Sequence, residues 1–218
     1  MNYAIIDTGS SHSFPNRHSL LDGKSADGEV VIVLGTGQAE ALAKIQGRDA
    51  KAAILIELGT ESLGVYTGEG RGTEGSNVLG FARFRLGDGD PSNLIELVRQ
   101  PNTPQAAISA ARQVLEGAGF KVAGCFDFQG RIIDRLVRPY YNAALRRLDE
   151  GLASASDMDL TLHLGLGYPE GPIALLERTG LQHHFDVTQD LFEAFGESSY
   201  IPARRARVAK VRVQKRGD

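Results

Sequence analysis

GRIIDRLVRPYYNAALRRLDEGLASASDMDLTLHLGLGYPEGPIALLERTGL, Gly130 to Leu181, is helix after helix. Ile132 to Leu152 carries apolar residues at helical spacing. Pro139 inside it predicts a kink, because proline removes a backbone donor and crowds the preceding turn. Ser156, with Asp159 three places on, predicts a capped start for the next helix. That helix should run through Leu160, Leu162 and Leu164 to Gly165. Pro172 suits a first helical turn, and Gly180 closes the segment through Leu175 and Leu176. Just beyond, Asp186 to Phe195 predicts a further helix stopped by Gly196.

Upstream the pattern changes. Up to residue 126, short β-rich runs alternate with glycine-rich turns and helical patches. Tyr3–Ile6, Val30–Leu34, Ala52–Leu58, Val78–Phe84, Leu94–Val98 and Phe120–Phe126 predict strands. Val30–Leu34 is apolar throughout, as a strand buried on both faces should be. Gln38–Gln46 and Thr103–Gly119 predict helices, the second with Ala107, Ile108, Ala111, Val114 and Leu115 on one face. Strands alternating with helices argue for a mainly parallel sheet. Gly68–Gly75, GEGRGTEG, is predicted to be the most flexible loop.

Composition excludes several classes. The chain has 218 residues with a formal net charge of −3, so no global attraction to nucleic acid or anionic membrane is expected. Cys125 is the single cysteine, which fits a reducing compartment and forms no internal disulfide. The N-terminus lacks the pattern of a secretory signal. No apolar run approaches the length of a membrane span, so a cytoplasmic protein is expected. No set of Cys, His and acidic residues has metal-ligand spacing, and His183-His184 is expected to serve a surface cap or loop. The tail from Arg204 to Arg216 alternates basic residues with valines. It would either touch the phosphates of a ligand or lie solvated, and the second is expected.

The helical half resembles the C-terminal domain of the 3-hydroxyacyl-CoA dehydrogenases. That family reads PGFIxNRxxxPYxNEAxxxxxEGxAxxxDID and then LGxGxPxGP. Arg135, Pro139, Tyr140, Asn142, Ala143, Glu150, Gly151, Asp157, Asp159, Gly165, Gly167, Pro169, Gly171, Pro172 and Gly180 fall in register with it. More faintly, GEVVIVL, ILIELGTESL and VLGFARFRLGDGDPSNLIELVRQ are similar to successive strands of the family's first domain. The residues before Val30 are too few for the family's opening strand, G-x-G-x-x-G turn, helix and second strand. The resemblance implies an α/β reduced Rossmann-like domain with a mainly parallel sheet over 1–126. An all-α C-terminal dehydrogenase dimerisation domain over 127–218 would follow.

It also implies NAD as cofactor, acyl-CoA as ligand and no metal. A homodimer would form through the helical domain, or the chain would pair with a full-length dehydrogenase. Carried over residue by residue, the chemistry departs from the family. The family's base is a His held by a Glu, since hydride transfer needs a group that titrates near neutrality. The His position falls on Ala82 and the Glu position on Glu96. The family's Asn three residues after the His falls on Arg85. Its Ser falls on Glu61 with Ser62 beside it, and its second-domain Asn falls on Asp134. Glu96 is thus either a retained catalytic carboxylate or a strand residue. For the cofactor, Gly35-Thr36-Gly37 follows a strand and opens a helix, but the third glycine position is Glu40. Asp7-Thr8-Gly9-Ser10-Ser11 could also present amides to an anion. Two readings follow. One is a catalytically impaired member that binds acyl-CoA or dimerises. The other is an active NAD-dependent dehydrogenase with a rebuilt site, or one completed by a partner chain.

Overall fold

Strands β1 (Tyr3–Asp7), β2 (Val30–Leu34), β3 (Ala53–Glu57), β4 (Val78–Arg83), β5 (Leu94–Arg99) and β6 (Lys121–Phe126) pair in that order in one sheet. β1 to β4 are parallel, β5 runs antiparallel to β4, and β6 is parallel to β5. This is the mainly parallel sheet that the sequence predicts. The computed structural model describes residues 1–218 except 24, 26 and 218.

β2 and β3 are buried at every position, because helices cover both faces of a parallel sheet. Period-two alternation sorts their side chains. Val30, Ile32, Leu34 and Leu55 meet Ala107, Ala111 and Leu115 of helix α4 (Gln105–Gly117) on one face. Val31, Val33, Ile54 and Ile56 meet Ala41 and Leu42 of α2 (Gln38–Lys44) on the other. Each such aliphatic side chain contributes roughly 1.5–3 kcal/mol on burial. Short helices α1 (Ser19–Asp22) and α3 (Gly64–Thr67) complete this unit.

The Gly68–Gly75 loop is more tied down than its composition predicts. The Glu74 carboxylate accepts hydrogen bonds from the Gly70 and Gly72 amides, and the Glu74 carbonyl accepts one from the Asn102 amide. Those amide bonds also hold the Glu74 carboxyl below its ordinary pKa.

The chain forms two compact units. The sheet unit comprises residues 1–84 and 91–131, and the helical unit comprises 85–90 and 132–218. Residues 127–131 therefore pack with the sheet, although the change of periodicity places them with the helices. Residues 85–90 join the helical unit because Gly87 lies against the Thr179 carbonyl, which accepts the Asp88 amide at 2.9 Å.

The helical unit holds α5 (Ile133–Asp149), α6 (Ala155–Leu166), α7 (Pro172–Thr179), α8 (Leu181–Phe195) and α9 (Arg204–Gly217). Pro139 lies within α5. The N-cap of α6 is Ser154, not Ser156: its hydroxyl accepts the Asp157 amide at 3.1 Å. Asp159 has a different task. Its carboxylate accepts the amides of Ile173 and Ala174, both at 2.9 Å, and so caps α7. A Cβ at Gly171 would lie 2.2 Å from the Asp159 Cβ, so only glycine leaves room for this cap.

Two further expectations change. The basic tail is helix α9, largely exposed as expected but tied to the helical unit at its first turns. Arg204 and Arg205 pair with Asp149, Lys210 pairs with Asp186, and Ala206 is buried. His183 and His184 do not both face solvent. His184 is 1% exposed inside the helical unit, because successive residues of a helix point about 100° apart.

Candidate functional site

Ala82 and Glu96 are direct cross-strand partners in the β4–β5 register. An antiparallel pair brings opposed Cβ atoms to within about 5 Å. A base at position 82 could therefore lean on the Glu96 carboxylate, but alanine offers nothing to titrate. Glu96 instead meets Arg131, whose Nε lies 3.3 Å from its Oε2. The two side chains are only 3% and 6% exposed. Arg131 has a φ of 50°, a left-handed conformation that non-glycine residues adopt at a cost. Its Nη1 is buried without a hydrogen-bond partner. The sequence gives no sign of Arg131, because it lies far from Glu96 along the chain and matches no motif.

Ser62 stands half-buried in the turn after β3. The next two amides, of Leu63 and Gly64, donate to the Asp127 carboxylate at 2.6 and 2.8 Å. The turn is thus fixed by a charge from the end of β6. Cys125 lies nearby on β6, and burial pushes its thiol up to about 11, helped by Glu96. It is protonated at neutral pH and is a poor nucleophile.

The Gly35-Thr36-Gly37 turn is closed on itself. The Gly35 amide donates to Glu57 Oε2 at 2.9 Å, and the Gly37 amide donates to Thr8 Oγ1 at 2.9 Å. Gly35 has a φ of 93°, and a Cβ there would lie 2.8 Å from the Gly9 nitrogen. In the β1–β2 neighbourhood the Asp7 carboxylate takes the Gly9 amide, and the Leu34 carbonyl takes the Thr8 amide. The amides of Thr8, Gly9, Gly35 and Gly37 are therefore already engaged within the chain. Helix α2 behind them is only seven residues long. Dinucleotide sheets bind their cofactor where the strand order reverses, and β1 to β4 follow one another without reversal among the described residues. The residues present do not fit NAD in the family's manner.

Asp134 lies in the helical unit, 7% exposed, with the Arg138 Nε 2.7 Å from its Oδ1. Arg138 Nη1 lies 3.2 Å from His184 Nδ1, and His184 Nε2 lies 3.0 Å from Asn142 Oδ1. A guanidinium can only donate, so Nδ1 accepts and the proton sits on Nε2. Asn142 Nδ2 donates onward to the Ser199 carbonyl. The chain Asp134–Arg138–His184–Asn142 thus requires a neutral imidazole. Burial first, and the Arg138 charge second, hold the His184 pKa well below its usual 6.5.

The sign of the pH effect follows. The unfolded state binds a proton near pH 6.5 that the folded state refuses. Stability is therefore full above that pH and falls as pH drops below it, by up to ~1.4 kcal/mol per pH unit. Urea midpoints measured from pH 7.5 to 5 should show this acid limb, and His184→Gln should flatten it. An unchanged limb in the variant would assign the loss to other groups.

The same unit carries an apolar groove of about 480 Å³ lined by Leu136, Val137, Tyr140, Tyr168, Pro172 and Leu175, among others. Tyr140 Oη is buried there without a partner, and burial pushes its pKa up to about 12. α6 buries none of its residues, and Leu160, Leu164 and Leu166 are 54%, 73% and 66% exposed. Among the described residues no cluster of Cys, His and acidic side chains could hold a metal, and no helix is long and apolar enough to cross a membrane.

Comparison with known proteins gives a consistent picture. The family model for the 3-hydroxyacyl-CoA dehydrogenase C-terminal domain matches residues 130–216. The 3-hydroxybutyryl-CoA dehydrogenase of Bradyrhizobium diazoefficiens is 32% identical over 109 residues, which cover 50% of this chain and 37% of that protein. The mitochondrial hydroxyacyl-coenzyme A dehydrogenase of Homo sapiens is 34% identical over 104 residues, covering 48% and 32%. The match thus spans only about a third of these relatives' length. The crystal structure of (S)-3-hydroxybutyryl-CoA dehydrogenase PaaH1 from Ralstonia eutropha superposes with a TM-score of 0.69 at 24% identity. That superposition covers 83% of this chain and 64% of the other, and is a likeness of fold.

Proposed function

We propose that this chain, whose residues 130–216 match the 3-hydroxyacyl-CoA dehydrogenase C-terminal domain, serves acyl-CoA metabolism without itself carrying out hydride transfer. It acts as an acyl-CoA-binding or dimerising subunit, alone or beside a full-length dehydrogenase. One observation carries this reading. At the position where the family keeps a His–Glu pair, Ala82 faces a Glu96 whose carboxylate is held by Arg131. A proton cannot be taken from a substrate hydroxyl by alanine. A glutamate already paired with a buried guanidinium is a weak base, since losing its charge would strand the cation. Asp134, likewise paired with Arg138, accepts hydrogen bonds but does not donate them as asparagine does.

The first test is NADH oxidation by the purified protein with acetoacetyl-CoA, followed by absorbance. The expected result is a rate equal to the protein-free blank. Turnover that Glu96→Gln abolishes would instead establish the dehydrogenase reading, with the site rebuilt around Glu96.

Self-association is supported by the bare face of α6. A helix that buries no residue and exposes Leu160, Leu164 and Leu166 leaves a patch of the kind that marks protein interfaces. Leu164→Glu places a charge at its centre. Sedimentation should show a dimer for the native chain and a monomer for the variant, with helix content unchanged. A native monomer at all concentrations would remove the dimer from the proposal.

A further inference from the structure

We infer that the Glu57 carboxylate is a built-in substitute for a bound phosphate, so that the carboxyl end of β1 to β3 takes no dinucleotide. Glu57 is the last residue of β3 and is 2% exposed. Its Oε1 accepts the Ser11 hydroxyl at 2.9 Å and the Ser13 amide at 2.6 Å. Its Oε2 accepts the Gly35 amide at 2.9 Å. Two backbone amides and a hydroxyl converging on one anion, at the carboxyl ends of parallel strands, form the kind of cradle in which phosphates are held.

Here the anion is part of the chain. The surroundings support a fixed plug rather than a movable gate. Ser11 Oγ also accepts the Phe14 amide at 2.9 Å, so the segment that covers Glu57 is itself tied down. Gln38 Nε2 donates to the Glu57 carbonyl at 3.1 Å and holds the backbone from behind. Thr8 Oγ1 donates to the Leu34 carbonyl at 2.6 Å while accepting the Gly37 amide, so that hydroxyl is satisfied in both directions. A pyrophosphate would have to displace a buried carboxylate from three donors and lie against its negative charge. The reverse also holds. Removing the carboxylate leaves two amides and a hydroxyl buried without an acceptor, which is an anion site made vacant. Every residue involved lies in the sheet unit, so the inference is independent of what the helical unit binds.

The test compares the native chain with Glu57→Ser and Glu57→Gln. Melting temperatures are measured in sodium pyrophosphate and in sodium chloride of equal ionic strength, and NADH is titrated by its fluorescence. The native chain should give the same melting temperature in both salts and no saturable NADH signal. Glu57→Ser should melt lower than the native chain and regain about 2 °C or more in pyrophosphate. Glu57→Gln keeps the side-chain shape but turns one acceptor into a donor, and should lose stability with a smaller rescue. Saturable NADH binding by the native chain, competed by pyrophosphate, would overturn the inference. Pyrophosphate that rescues neither folded variant would overturn it too. If neither variant folds, the amide resonances of Ser13 and Gly35 in the native chain decide. They should stay in place through a millimolar pyrophosphate titration, and a saturable shift of both would refute the plug.

Discussion

Arg131→Ala is expected to cost the sheet unit about 3–5 kcal/mol, because it strands the Glu96 carboxylate in a buried site. The magnitude comes from desolvation, not from the attraction between the charges. Glu96 is desolvated in either protein, and the variant lacks the Arg131 guanidinium that meets it in the native chain. The double variant Glu96→Leu with Arg131→Leu should therefore be far milder than either single change. Replacing a whole buried pair by aliphatic side chains is often neutral or favourable. Here there is an added reason: the double variant also removes the orphaned Nη1 of Arg131. Urea unfolding of the four proteins in a double-mutant cycle gives the coupling. Single costs that simply add would show that the pair does not act as a unit. Arg131→Gly provides a finer reading. Glycine accepts the φ of 50° without strain, so Arg131→Gly should sit closer to the native chain than Arg131→Ala, despite losing the same charge.

The second large effect lies in the helical unit. Arg138→Ala should also lose about 3–5 kcal/mol, since it leaves the Asp134 carboxylate buried beside no cation. It has a second readout that a plain packing defect would not produce. The Arg138 charge is one of the two causes that depress the His184 pKa. Removing it should move the acid limb of stability to lower pH dependence, with protonation of His184 met by Asp134 rather than opposed by a guanidinium. Lysine should not rescue the variant. A point charge on a flexible stem cannot serve the Asp134 oxygen and the His184 ring nitrogen from one planar group. Histidine resonances followed from pH 7.5 to 5 in the native chain and Arg138→Ala would check the charge coupling. Identical titrations would disprove the coupling.

Both pairs lie at positions that resemble a catalytic set. Glu96 keeps the family's carboxylate and Asp134 has one where the family has asparagine, and each is met by an arginine from its own unit.

Much of this was legible along the chain. Val30–Leu34 had to be a strand covered on both faces, because five consecutive apolar residues leave no polar face for water. Pro172 and Gly180 bracketed α7 because one lacks a donor that a first turn does not need and the other tolerates a φ of 95°. The motif-bearing stretch from Gly130 identified the helical half, since its prolines and glycines sit where helices must start and stop. These are local constraints, set by backbone chemistry within a few residues.

Only the tertiary structure decided which partner each charge found. Arg131 meets Glu96 across 35 residues, Glu57 meets Ser11 and Ser13 across more than 40, and His184 meets Asn142 across 42. Asp159 reaches 14 and 15 residues along the chain to cap α7, a pairing that only the packing of α6 against α7 brings about. Sequence spacing fixes where elements begin and end. Desolvation, which exists only once the chain has closed around a charge, fixes what that charge does.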